Sequence, residues 1–196
     1  MGQPAEKLRQ ATYADLEAVP SHQVAEIING MLYAMPRPAP PHTNAASALG
    51  GELFGPFQRG RGGPGGWWIQ DEPELHFPNA AVTVGKDVVV PDLAGWRREH
   101  LAKLPATAYF TLAPDWICEV LSPSTEVVDR EEKMPIYARE GVRHAWLVDP
   151  IARTLEVYTL GDRRRWVAAG VHRDNVLVCV APLDAIELDL GGLWID

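Results

Sequence analysis

Two carboxylates stand where the chain should be apolar. Asp92 follows the run Val88–Pro91, and Glu119 lies inside Asp115–Leu121 (DWICEVL); both stretches have the β-branched and apolar content of buried strands. An unpaired carboxylate in such a place costs several kcal/mol unless it is hydrogen-bonded, protonated or bound to a cation. Two of them on neighbouring strands suggest a metal site. Lys133 follows on an expected helix, four residues after Asp129, and on spacing alone it reads as half of a surface ion pair with that residue. A third acid, Glu26, shares a strand face with Val24 and Ile28. The alternation allows that face to be buried or solvated, and the residues alone do not choose.

The elements that must position these groups are legible from punctuation and periodicity. Thr12 and Asp15 have the spacing of a capping box, opening a short helix that Pro20 ends. Asn29-Gly30 between Val24–Ile28 and Met31–Met35 predicts an N-terminal β-hairpin. A proline-rich connection leads to a helix over His42–Phe57, with His42 near its start in a capping or solvated position. Gly60–Gly66 is a loop that lacks the lysine of a phosphate-binding P-loop. Trp67–Phe77 alternates as one strand, with Gln70, Glu72, Glu74 and His76 on a single face; the simplest reading is half-solvated, with Glu72 as a candidate extra acid. Val88–Val90 and Trp116–Leu121 read as core strands, the second with Ile117, Glu119 and Leu121 on one face. Glu126–Glu140 reads as a helix kinked or restarted by Pro135, with Lys133 and Tyr137 on one face. Strands are expected over His144–Val148, Thr154–Leu160, Arg165–Val171 and Val176–Val180.

Length and composition set the frame. The chain of 196 residues and 21.6 kDa is expected to form one domain over residues 1–196 with a sizeable core. Cys118 and Cys179 sit in strand-like runs and read as buried thiols, which argues against a disulfide framework or cysteine–zinc site. No apolar run reaches membrane-span length and residues 1–10 lack a signal-peptide core, so a cytoplasmic location is the expectation. A net charge of −8 argues against indiscriminate binding to nucleic acid. Local basic clusters remain, at Arg59 and Arg61, at Arg97, Arg98 and Lys103, and at Arg163–Arg165. A glycosidase would need a larger aromatic-lined cleft around its paired acids, for which nothing in the chain speaks beyond seven Trp.

Pro91-Asp92, then Glu119 in the run EVLSPST (Glu119–Thr125), then Asp129, Lys133, Tyr137, Gly141-Val142 and Trp146–Pro150, form an order that resembles the PD-(D/E)XK restriction-endonuclease-like superfamily. More narrowly, they resemble the Uma-two family of endonucleases, and Thr12-Tyr13 with the Glu26–Pro36 hairpin fits that family's opening. The resemblance implies an α/β fold with a mixed central sheet flanked by helices. It also implies metal-dependent hydrolysis of phosphodiester bonds, with nucleic acid, DNA foremost, as partner, and a homodimer. Asp92 and Glu119 would hold Mg²⁺, with Mn²⁺ as a substitute, because hard oxygen ligands without His or Cys select such ions. Glu26 would complete the acidic cluster, Lys133 would act on the attacking water and developing charge, and Arg59, Arg61 and His42 are candidates for substrate contact. One departure stands out. Superfamily members carry the lysine two residues after the last acid, where this chain has Leu121; the Uma-two pattern supplies it from the helix, at Lys133. The competing expectation is a non-catalytic module that keeps the fold and binds a protein or nucleic acid.

Overall fold

A computed structural model describes residues 10–78 and 86–195. A short capped helix, α1 (Tyr13–Glu17), precedes the hairpin β1 (Gln23–Ile28) and β2 (Met31–Pro36). Thr12 and Asp15 cap α1 reciprocally. The hairpin turn places Asn29 at φ 52° and Gly30 at φ 80°, the left-handed backbone that Asn-Gly accepts most readily. After α2 (Pro40–Leu53) and a π-helical turn (Phe54–Gln58) come β3 (Trp67–Asp71), β4 (Leu75–Pro78), β5 (Lys86–Val89), β6 (Leu93–Arg97) and β7 (Trp116–Val120). The helical segment that follows has three parts, α3 (Glu126–Val128), a π-helical turn (Asp129–Lys133) and α4 (Met134–Glu140). The chain closes with β8 (His144–Asp149), β9 (Thr154–Leu160), β10 (Trp166–Arg173), and the small pair β11 (Leu177–Val178) and β12 (Leu188–Asp189).

The central sheet is mixed, in the order β10-β9-β8-β7-β6-β3, with β7 and β8 parallel and the other pairs antiparallel. Its parallel pair is the one joined through the α3–α4 segment, as a crossover requires. A second sheet, β2-β1-β5-β4, contains the hairpin. Strand periodicity then sorts the core. Trp116, Cys118 and Val120 of β7 face Ala45, Leu49 and Leu53 of α2. Ile117 and Leu121 face Met134, Ile136 and Tyr137 of the second helical segment. Glu119 lies on this latter face, beneath the helix. Among the described residues no helix is long and apolar enough to cross a membrane.

Several expectations need correction. The strand read over Trp67–Phe77 is two strands in different sheets, broken at Glu72-Pro73, where Glu72 takes φ 42° and its N–H bonds the Asp92 carbonyl. Asp92 does not sit on a strand beside β7: Val88 and Val89 belong to the second sheet, and Val90–Asp92 carries the chain across to β6, the actual neighbour of β7. Strand β6 went unread because Gly95 interrupts it. A Cβ there would come within 3.1 Å of the Trp116 ring and 3.2 Å of the Trp67 ring, so the glycine makes room for two indoles. Cys179 is exposed, and the strand expected over Val176–Val180 is reduced to two residues.

Pro135 acts where expected. Without an N–H it cannot bond the Glu131 carbonyl and its ring would crowd that oxygen, and the helix loosens into the π-helical turn just before it. Polar links then fix the helix against the sheets. Asn29 Nδ2 donates to Glu132 at 2.8 Å, and Arg139 donates to the buried Asp87 at 2.6 Å. Arg130 forks onto both oxygens of Glu156 on β9, at 2.9 and 2.7 Å. That hydrogen bond holds the Glu156 carboxyl below its ordinary range. A depressed acid contributes stability above its unfolded value and loses it as pH falls through the folded one. Because the pair is only half-buried and stays open to solvent screening, its contribution is about 1 kcal/mol or less. Glu156→Gln should therefore flatten the acid limb of a stability–pH profile slightly; an unchanged profile would mean the fork contributes nothing.

Candidate active site

The site lies where the two sheets meet the helix. β1 supplies Glu26, the crossover supplies Asp92, β7 supplies Glu119, and the π-helical turn supplies Asp129 and Lys133. Lys133 is 3% exposed, and its Nζ lies 3.0 Å from Glu26 Oε1, 3.0 Å from Glu119 Oε1 and 3.6 Å from Asp129 Oδ1. It also donates to the Val90 carbonyl at 3.1 Å. Glu26 Oε1 accepts from the Val90 N–H at 2.6 Å, so one residue of the crossover binds both members of the pair. Tyr137, one turn beyond Lys133, donates its hydroxyl to Glu119 Oε1 at 2.5 Å.

Asp92 is held from two sides. Its Oδ2 accepts the Val120 N–H at 2.7 Å, and its Oδ1 lies 2.6 Å from His42 Nε2. Both Asp92 and His42 have only slightly exposed side chains, while His42 Nδ1 is buried without a hydrogen-bond partner among the described residues. A cavity of about 250 Å³ is lined by Glu26, Asp92, Glu119, Asp129 and Lys133, with His42, Arg37, Glu72, Ser122 and Ser124 among its other walls.

Charge is the unusual feature. Three carboxylates, Glu26, Glu119 and Asp129, surround one ammonium, all 5% exposed or less. Burial would lower the Lys133 pKa, but Glu119 and Glu26 outweigh it and hold it well above the ordinary lysine value. Burial pushes Glu119 well above the carboxylate range and raises Asp129, in both cases against the pull of Lys133. One cation is too little for the acids around it. For His42, burial works downward, yet the hydrogen bond and charge of Asp92 prevail and the net direction is upward.

The structure thus brings Glu26, Asp92, Glu119 and Lys133 together. The ion pair of Lys133 with Asp129 is present as well, within the buried cluster and not on the surface. His42 is neither a cap nor solvated; it is turned onto Asp92. Arg59 and Arg61 are exposed and do not line the cavity, and Arg59 lies over the Phe54 ring. Three contributors had no reading as site groups: Asp129 as a fourth acid, the Val90 backbone, and Arg37, whose position between two prolines gives no hint of a cavity.

Fold and site together define a nuclease-like α/β chain with an acid–lysine centre. The chain belongs to the Uma2 family, described as "Putative restriction endonuclease", which matches residues 10–191. Among solved structures it is similar to one from Anabaena variabilis ATCC 29413, titled a "putative nuclease belonging to DUF820", with a TM-score of 0.69 and 22% identity. The match covers 93% of this chain and 97% of that one, and at that identity the likeness concerns the fold. No curated protein matches the chain significantly.

Proposed function

We propose that the protein is a divalent-metal-dependent endonuclease that hydrolyses phosphodiester bonds of nucleic acid, DNA foremost. The observation that carries this reading is the charge deficit: three buried carboxylates share one ammonium, and Asp92 lines the same cavity. The donor set fits a hard cation. Tyr137 and Lys133 both bind Oε1 of Glu119, and among the described residues Oε2 accepts no hydrogen bond. Among the described residues no group of three or more His, Cys, Asp or Glu side chains is gathered so as to hold a metal ion by itself, so a cation here would draw on one or two carboxylates together with water and substrate phosphate. Mg²⁺ suits such a site, because it keeps most of its water and takes one or two carboxylates beside substrate phosphate. Asp92 and Glu119 would hold it, with Mn²⁺ as substitute.

The chain's own groups have distinct tasks. His42 and the Val120 N–H fix the two oxygens of Asp92, and Tyr137 fixes Glu119. Such outer hydrogen bonds orient ligands. Glu26 and the Val90 carbonyl hold the Lys133 ammonium at the cavity wall, where it can stabilise negative charge developing on a phosphoryl group. When bound, the metal would supply Lewis acidity toward phosphate and a more acidic water as nucleophile.

The test is incubation of purified protein with single- and double-stranded DNA and RNA, with Mg²⁺, Mn²⁺ or chelator, beside Glu119→Gln. Metal-dependent cleavage that the variant loses while keeping its fold is the expected result. No cleavage of any substrate, together with no heat of Mn²⁺ binding, would transfer the assignment to a non-catalytic binding module.

A further inference from the structure

The catalytic cavity cannot attract a polyanion by itself. Glu26, Glu72, Asp92, Glu119 and Asp129 line it against Lys133 and Arg37, in a chain of net charge −8. Beyond the one phosphate that a bound metal would take, affinity for a phosphate backbone must come from cations placed elsewhere. The same helical segment, with the turn before β10, carries them, on residues that do not line the cavity. An open groove of about 480 Å³ is walled by Arg130, Arg139, Arg164 and Arg165, and no carboxylate is among its lining residues. Its floor includes Met134 and Trp166, whose indole N–H bonds the Met134 carbonyl at 2.8 Å and ties β10 to the helix that carries Lys133.

The four arginines divide into two kinds. Arg130 is neutralised by Glu126 and Glu156, and Arg139 by Asp87 and Glu140, so these two build the walls. Arg164 and Arg165 are exposed and form no ion pair among the described residues. The turn that presents them holds Arg163 at φ 58° and Arg164 at φ 55°, backbone that arginine seldom adopts. Planar guanidinium groups unopposed by acids, above an apolar floor that can take sugar and base, are matched to a nucleic-acid strand.

We infer that the groove of Arg164 and Arg165 is a second contact for the nucleic acid, gripping its phosphate backbone outside the cavity. This rests on nucleic acid being the substrate, and the test separates the two. Binding of fluorescein-labelled DNA of about 20 nucleotides is measured against salt, with Ca²⁺ in place of Mg²⁺, for wild type and for Arg164→Ala/Arg165→Ala. The double variant should lower the slope of log K against log[salt] by about two, one per lost phosphate contact. Cleavage of a dinucleotide substrate, too short to span cavity and groove, should be unchanged, while the long DNA should show a raised KM at constant kcat. An unchanged slope and affinity would overturn the inference, as would displacement of the DNA from the groove by polyglutamate at lower concentration than by unlabelled DNA. If the slope falls but nothing cleaves any substrate, the groove stands and the endonuclease reading fails.

Discussion

Lys133→Met should destabilise the metal-free protein by about 3–5 kcal/mol, the usual result of stripping the partner from buried charges, and lower cleavage by on the order of 10²-fold or more. Methionine roughly preserves the length of the stem, so the loss is that of the ammonium. Glu26 keeps the Val90 N–H and Glu119 keeps the Tyr137 hydroxyl, but no cation remains among the three carboxylates. For a domain of this size the melting temperature should fall by roughly 10 °C. The deficit has a pH signature. Glu119 and Asp129 already titrate above their ordinary values, and loss of the opposing lysine moves them further up. A raised acid destabilises when it ionises, so the penalty is absent below the unfolded value, about pH 4, and grows as pH rises through the folded values. The variant should therefore approach wild type in acid and fall behind at neutral pH. Mg²⁺ should raise its melting temperature more than that of wild type, because a divalent ion replaces the missing charge. Equal melting temperatures at neutral pH without metal would remove the charge-deficit argument.

The members of the cluster were legible because they stand out by local contrast. An acid inside or directly after an apolar run is visible in sequence, so Glu119 and Asp92 stood out, although Asp92 lies on the crossover and not on a strand, and i, i+4 spacing put Asp129, Lys133 and Tyr137 on one helix face. What the chain did not disclose is where faces meet. The alternatives for Glu26 are resolved by β5, which pairs with β1 and turns Glu26 toward Val90; no property of residues 24–28 encodes that partner. The choice between a surface pair and a site lysine was not exclusive, since one ammonium reaches Asp129, Glu119 and Glu26 together. Strand β6 was hidden by Gly95, whose reason for being there is the pair of indoles packed over it. The break at Glu72-Pro73 follows from the Glu72 N–H bonding the Asp92 carbonyl, a contact between residues distant in the chain. His42 was misread for a similar reason: near a helix start a polar residue is ordinarily a cap, and here the Asp92 carboxylate lies within its reach.

Asp92→Asn separates a ligand from a structural acid. The amide is isosteric, its oxygen can still accept the Val120 N–H, and its NH₂ can face His42 if the imidazole accepts at Nε2. Stability should therefore change by only about 1–2 kcal/mol, the loss of one charge-assisted hydrogen bond. Metal affinity should suffer far more, because the negative charge is what a hard cation binds; the heat of Mn²⁺ binding should disappear in the accessible range and cleavage drop on the order of 10²-fold or more. A second readout needs no metal. In wild type the Asp92 hydrogen bond and charge lift His42 against burial; with the charge gone, burial dominates, and the imidazole should titrate below its ordinary value. NMR of His42 in the metal-free variant reads that reversal directly. A fall in the His42 value with undiminished Mn²⁺ binding would leave Asp92 as the anchor of His42 and Val120 and remove it from the metal site. If instead the variant unfolds before either measurement, the acid is chiefly a strut between the crossover and β7, and Glu119 alone carries the claim to a cation.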